Sequence, residues 1–215
     1  MTGKRKPKFR RRAGDRPDEI LDAALRLFLK HGFAQTTVQS IAAAAGLSKG
    51  ALYLYFPSKE ALLEGLVNRA VAPVAERVVA DLSERRDHPR QAIAQALSGF
   101  AAALEDERTV AVPMLVIREA PQLPRIAAIY RERVLSRVLP ALVGLIEDGI
   151  ARGLIRPVDA ELTVRTLVGP VVAHVILARV FGVVPPGGLA LERFVAHHLD
   201  IVFRGLDPDR QGGRS

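Results

Sequence analysis

The sequence contains no cysteine and no tryptophan, two methionines, and aromatics at only 5% of its 215 positions. Without cysteine it can form no disulfide, thiolate zinc site, iron–sulfur cluster or cysteine nucleophile, and it suits a reducing compartment. Catalytic signatures are missing too: there is no Walker-type loop, no GxGxxG after a strand, no nucleophile elbow and no HExxH. Histidines stand at 31, 88, 174, 197 and 198, and the adjacent pair must point in different directions on a helix. The expectation is a protein that is not an enzyme and uses no metal and no cofactor. No apolar signal core follows the basic N-terminus, so a cytoplasmic location is expected.

Long hydrophobic runs are nearly absent. The exception is 167–184, LVGPVVAHVILARVFGVV, where Pro170, His174 and Arg179 would be costly in lipid. No membrane association is expected. Apolar on more than one side, the segment suits burial against both its own core and a partner subunit.

What is present is a globular composition, 49% hydrophobic and 25% charged, with a length for one or two domains. The net charge of +8 is unevenly spread. Residues 1–60 hold 12 Lys+Arg against 5 Asp+Glu, the remainder 19 against 18, and all six lysines precede residue 60. Such asymmetry points to a polyanion-binding head on a body with another task. A solvated tail would account for the basic residues at 4–12 but not for Lys49 and Lys59.

From residue 15 onward apolar residues recur at spacings of three and four, with no sustained alternation, so the fold class is all-α. A first helix begins around Asp15–Pro17 and stops at Gly32. Thr37 caps a second that runs to Gly46, Ser48 caps a short third ending near Tyr55, and Ser58 caps a fourth reaching Val78. Longer helices follow at about 89–105, 109–120, 124–151, 159–181 and 189–205. Prolines 73, 113, 140 and 170 fall inside these patterns, where each kinks a helix or marks a break. The expected organisation is a basic flexible arm at 1–14, a head at 15–57, a helical body at 58–205 and a flexible tail at 206–215.

Residues 36–59, TTVQSIAAAAGLSKGALYLYFPSK, carry the functional signal. Two short helices joined by a tight turn at Gly46 form a helix-turn-helix, whose second helix fits a major groove. The alanines at 42–45 allow close packing, and Ser48, Lys49 and Gly50 stand where a helix N-terminus favours phosphate. Leu52, Leu54 and Phe56 are expected to pack the head. Gly50 weakens helix propensity, and the reason for it here is to let the backbone approach DNA. The arm at 4–12 is either a solubility tail or a DNA-tracking extension.

GLSKGALYLYFPSKEALL resembles the DNA-binding signature of the TetR family of bacterial regulators. The likeness runs from about Pro17 to Leu66 and takes in ILDAALRLFLKHGF and TTV. A span like EAPQLPRIAAIY through IARGLIRPVDAELTVRTLVGP recurs in one branch of such regulators. The resemblance implies a homodimer on a pseudo-palindromic double-stranded DNA operator, released when a small molecule enters the body. Carried over by position, Thr37 and Gln39 open the second helix beside DNA, and Ser48, Lys49, Gly50 and Tyr53 belong to the recognition helix. Tyr55 and Lys59 match phosphate contacts.

In the body, the helices near 159–181 and 189–205 are expected to form a four-helix dimer interface, with Leu191, Phe194, Val195, Leu199, Val202 and Phe203 in line. Small aliphatic side chains around proline-bearing helices leave room for an apolar effector. Phe100, Met114, Ile117, Arg118, Tyr130 and His174 are the side chains expected near it, with Arg118 equally suited to a surface ion pair and His174 to the core or interface. The fourth helix, with Pro73 inside it, is expected to transmit the effector's tilt. Two rival readings stay open: a constitutive DNA-binding dimer, and a small-molecule- or partner-binding protein that has lost operator recognition.

Overall fold

The computed structural model describes residues 16–208. The basic arm, Asp15 and residues 209–215 of the tail lie outside them. Every regular element among the described residues is helical. The chain divides into two compact units, Met1–Leu66 and Val67–Ser215.

The first unit begins with α1 (Arg16–His31), which has Asp18 and Glu19 in its first turn and Lys30 and His31 in its last, both favourable to the helix dipole. It buries Ile20, Ala24 and Phe28 completely and stops at Gly32, whose φ of 82° few other residues adopt. Phe33 folds back so that its ring lies 4.9 Å from that of Phe28. Then come α2 (Val38–Ala44), α3 (Lys49–Tyr53) and α4 (Lys59–Ala70). The division between units falls inside α4, after Leu66, so Ser58–Leu66 groups with the head rather than with the body. Packing explains this: Leu62, Leu63 and Leu66 are fully buried, and Gly65 approaches Leu21 and Phe56 so closely that a Cβ would stand 2.9 Å from each.

The second unit comprises α5 (Ala72–Glu84), α6 (Pro89–Glu105), α7 (Glu107–Glu119), α8 (Pro124–Tyr130), α9 (Ser136–Ala151), α10 (Ala160–Arg179) and α11 (Leu191–Leu206). Pro73 does not lie within α4, as the sequence pattern suggests, but in the first turn of the separate helix α5. That position needs no intrahelical N–H, which proline lacks. Pro113, Pro140 and Pro170, by contrast, are inside α7, α9 and α10. α5 packs on α6 and α9, α6 on α11, and α10 on α9 and α11, around a core of Val, Leu, Ile and Ala. Leu191, Val195 and Leu199 of α11 are buried in this core, with Phe194, Val202 and Phe203 packed against it. The face expected to meet a partner is thus largely α11's own core face.

Between α8 and α9 the helix widens into one π-turn, Arg131–Leu135. The Ser136 N–H reaches back five residues to the Arg131 carbonyl, and the Ser136 hydroxyl donates to the Glu132 carbonyl at 2.8 Å.

Candidate nucleic-acid interface and cavity

The head presents α3 on a scaffold fixed at both ends of α2. Thr37 caps α2 in a box: its hydroxyl accepts from the Ser40 N–H at 3.0 Å, while the Ser40 hydroxyl lies 3.2 Å from the Thr37 N–H. At the other end Gly46, with φ of 68°, lets the Leu47 N–H return to the Ala42 carbonyl at 2.9 Å and its own N–H to Ala43 at 3.1 Å. This is the Schellman closure, and it sets the turn into α3. Ser48 then caps α3, its hydroxyl accepting from the Ala51 N–H at 3.1 Å.

On α3 only Leu52 is buried. Ser48, Lys49, Gly50 and Tyr53 are exposed, as are Thr37, Gln39 and Tyr55. The Lys49 ammonium lies 5.8 Å from the centre of the Tyr53 ring one turn along. Gly50 has nothing within 4 Å of the place its Cβ would occupy, so open space stands over that part of the helix. Leu54 differs from expectation: it is 86% exposed and does not pack the head. Residues 52 and 56 stand four apart and share a helical face, whereas 54 lies near the opposite side. Phe56 does pack, beside Gly65.

Lys59 is the second departure. Its ammonium donates to the carbonyls of Phe33 at 2.7 Å, Ala34 at 3.1 Å and Thr36 at 3.0 Å, and lies 4.6 Å from the centre of the Phe33 ring. An ammonium has three donors, and all three are engaged by the loop between α1 and α2. Thr36, not singled out by sequence, is buried in the same loop, its hydroxyl 2.7 Å from the Gly32 carbonyl and 3.2 Å from that of Leu27. The residue types gave one usable hint, a Thr–Thr pair of which only the second is needed as a cap.

In the second unit, α5, α6, α7, α8, α9, α10 and the π-turn enclose a cavity of about 420 Å³. Phe100, Met114, Ile117 and Tyr130 line it; Arg118 and His174 do not. Arg118 is turned outward on α7, its Nε donating to Glu119 at 2.9 Å. His174 lies on the α11 side of α10, about half a helical turn from the cavity-lining Val172 and Ile176. Its ring stacks on Phe194 at 4.3 Å, and its Nε2 is 2.7 Å from the Leu189 carbonyl. That carbonyl only accepts, so Nε2 carries the proton.

The wall is otherwise aliphatic, and sequence reasoning missed most of it because Val, Leu and Ile in a cavity wall look like those in a core. One signal was available: Ala96 and Ala103 of α6, Ala120 at the end of α7 and Ala127 of α8 all face the space, and four small side chains leave volume unfilled. Thr109 and Tyr130 supply the polar side chains. Burial pushes the Tyr130 phenol up to about 12, so it stays neutral at ordinary pH and keeps its proton. Ile117 and Leu135 line the cavity yet are themselves exposed, which places its mouth between α7 and the π-turn.

Known proteins share this arrangement. Residues 20–66 match the bacterial regulatory proteins of the tetR family, and residues 86–181 match the tetracyclin repressor-like C-terminal domain. The chain is 30% identical over 149 residues to the HTH-type transcriptional repressor BepR of Brucella suis, covering 66% of this chain and 69% of BepR. Its match to YuxN, an uncharacterised HTH-type transcriptional regulator of Bacillus subtilis, is 40% over 79 residues, 37% of this chain, and spans only 27% of YuxN's length. The solved structure of the flavonoid-responsive regulator FrrA superimposes with a TM-score of 0.64 at 26% identity, covering 92% of this chain and all of FrrA. Head and body both carry the likeness, and the chain belongs to the TetR family of bacterial regulatory proteins.

Proposed function

We propose that the protein is a homodimeric transcriptional repressor, held on a pseudo-palindromic operator by α3 and released by a small apolar effector bound in the cavity. The observation that carries this reading is the surface of α3, where Leu52 anchors the helix and the other side chains stay available to a groove. Lys49, Tyr53 and Gln39 are the groups suited to reading bases. Ser48, Gly50, Thr37 and Tyr55 are suited to the sugar-phosphate backbone. Lys59 supports them from behind by holding the α1–α2 loop, its charge adding to the field rather than to a direct contact.

Assembly is proposed through α10 and α11, related to a second copy by a two-fold axis. Leu162 and Leu177 of α10 and Ile201 of α11 are exposed at 60%, 46% and 58%, a set of large apolar side chains that a partner's equivalent face would cover. α10 is long and apolar enough to cross a membrane by length and composition, but it packs on α6, α9 and α11, and its outward apolar residues suit a subunit contact. A repressor acts where its operator is, in the cytoplasm. BepR is named a repressor and FrrA is named flavonoid-responsive, which supports both halves of the reading. The cavity favours an effector-responsive protein over a constitutive binder, since a body that only dimerises needs no such space. The effector releases DNA by binding more tightly to a form with lower operator affinity.

The test is selection of DNA from a random pool by the full-length protein, followed by anisotropy titrations across salt concentrations. We expect a two-fold-related site and a steep salt dependence, which Lys49→Ala flattens by about one unit of slope while altering base preference. Recovery of no preferred sequence would remove the reading.

A further inference from the structure

The proposed effector reading leaves the chemistry of the guest open, and the cavity wall narrows it. Among the described residues, no Lys, Arg, His, Asp or Glu lines the space. An ionised guest would leave water there without a counter-charge, an unfavourable transfer in the absence of a partner. Of the cations near the wall, Arg118 bonds Glu119 at 2.9 Å, Arg179 donates to the Leu104 carbonyl at 3.4 Å, and Arg131 and Arg133 of the π-turn are exposed to water. Thr109 is also occupied: its hydroxyl donates to the Asp106 carboxylate at 2.6 Å and its N–H to the same oxygen at 2.7 Å, capping α7. These two bonds hold the Asp106 carboxyl below the ordinary carboxylate range, the hydroxyl having the larger effect. The Tyr130 hydroxyl is different, since no hydrogen bond to a described residue engages it.

A neutral phenol with an uncommitted proton, set in an aliphatic wall, is a donor awaiting an acceptor. We propose that the effector is an uncharged lipophilic molecule whose carbonyl, ether or hydroxyl oxygen accepts a hydrogen bond from Tyr130, and that the cavity selects against the corresponding carboxylates. This inference rests on the effector reading and adds the chemical class of the guest. Apolar burial supplies affinity, and Tyr130 supplies orientation.

The experiment uses the full-length protein and three chain-matched probes: 2-undecanone, undecanoate and 1-undecene. Affinities come from calorimetry and occupancy from the rise in melting temperature. The ketone should bind on the order of a hundredfold more tightly than the carboxylate, which lacks a counter-ion. It should bind about fivefold more tightly than the alkene, the effect of one net hydrogen bond. Tyr130→Phe should abolish the ketone's advantage over the alkene. Undecanoate binding as tightly as the ketone would overturn the proposed selectivity. A Tyr130→Phe variant that keeps the ketone's advantage, or that weakens all three probes alike, would overturn the role of Tyr130. Alkene binding in either case would leave the cavity standing as an effector site. If none of the probes stabilises the wild-type protein, the inference fails together with the effector reading.

Discussion

Lys59 is a case where sequence position and local geometry assign different work to one side chain. The resemblance places it among phosphate contacts, but its three donors go to Phe33, Ala34 and Thr36. Truncation would leave three carbonyls to water and release the α1–α2 loop. We expect Lys59→Ala to destabilise the protein by about 1–2 kcal/mol, allowing for partial exposure of the bonds. In urea titrations the midpoint should fall, while the salt slope of DNA binding changes less than with Lys49→Ala. Equal slopes for the two variants would restore Lys59 to the phosphate backbone. Caps and left-handed turns were legible at this scale: Thr37, Ser48, Gly32 and Gly46 sit where residue chemistry alone puts them. A lysine's partners were not, because they lie 23–26 residues away in sequence. Leu54 was misjudged for a nearer reason. An apolar residue was equated with a buried one, although the face it occupies is two positions off the core.

Elements were legible wherever punctuation was strong. α6 and α11 end close to the expected limits because proline, glycine or a cap marks them. Pro73 was ambiguous in sequence, since the apolar pattern of α4 continues past it to Val78; the break at Val71 puts Pro73 in a first turn, where its missing N–H is not needed. Within α9, two glycines make a matched pair. A Cβ on Gly149 would stand 2.8 Å from Ile155 Cδ1 and 3.1 Å from Cγ1, so the buried Ile155 would have to shift within the core to make room. A Cβ on Gly144 would meet nothing within 4 Å. Gly149→Ala should therefore cost about 1–2 kcal/mol, overpacking outweighing the gain in helix propensity. Gly144→Ala should stabilise by about 0.5–1 kcal/mol. Thermal melts of the two variants, one falling and one rising, check the local packing of α9 on the chain that follows it.

For the molecule as a whole, the charge asymmetry and the all-α pattern are legible in the sequence alone, and so is the likeness in the head. The cavity wall was only partly visible, because unfilled volume depends on where six helices and the π-turn pass one another and not on residue type. Phe100, Met114, Ile117 and Tyr130 reach it; Arg118 and His174 turn away, since a helix changes direction by about 100° at each residue. The proposed assembly gives a test at this scale. Ile201→Asp combined with Leu177→Asp places charge on the exposed apolar faces of α11 and α10. Sedimentation should show the wild type as a dimer at micromolar concentration and the double variant as a monomer. The monomer should keep its helix content and bind a half-site with much lower affinity, because two linked heads gain by effective concentration. A variant that stays dimeric would move the interface to other helices.

The π-turn at Arg131–Leu135 bears on how this chain tolerates a change in length. A turn closed by five-residue hydrogen bonds holds one residue more than an α-helical turn, and it absorbs that residue without rotating the helix on either side. Arg131, Glu132 and Arg133 are all exposed there, so none is needed to fill the core. Removing Glu132 should relax the turn into continuous α-helix, with Ala127 and Tyr130 still aimed at the cavity and Val138 and Leu142 unmoved. Removing Gly144 from regular α9 has no such reserve: it rotates the buried Leu145 and Ile146 against the cavity-lining Val138, Leu139 and Leu142 by about 100°, so one of the two sets loses its packing. The first deletion should melt near the wild type and the second far below it. Among the described residues between Pro124 and Ala151, the chain thus carries a spare position beside the one phenol that its cavity exposes.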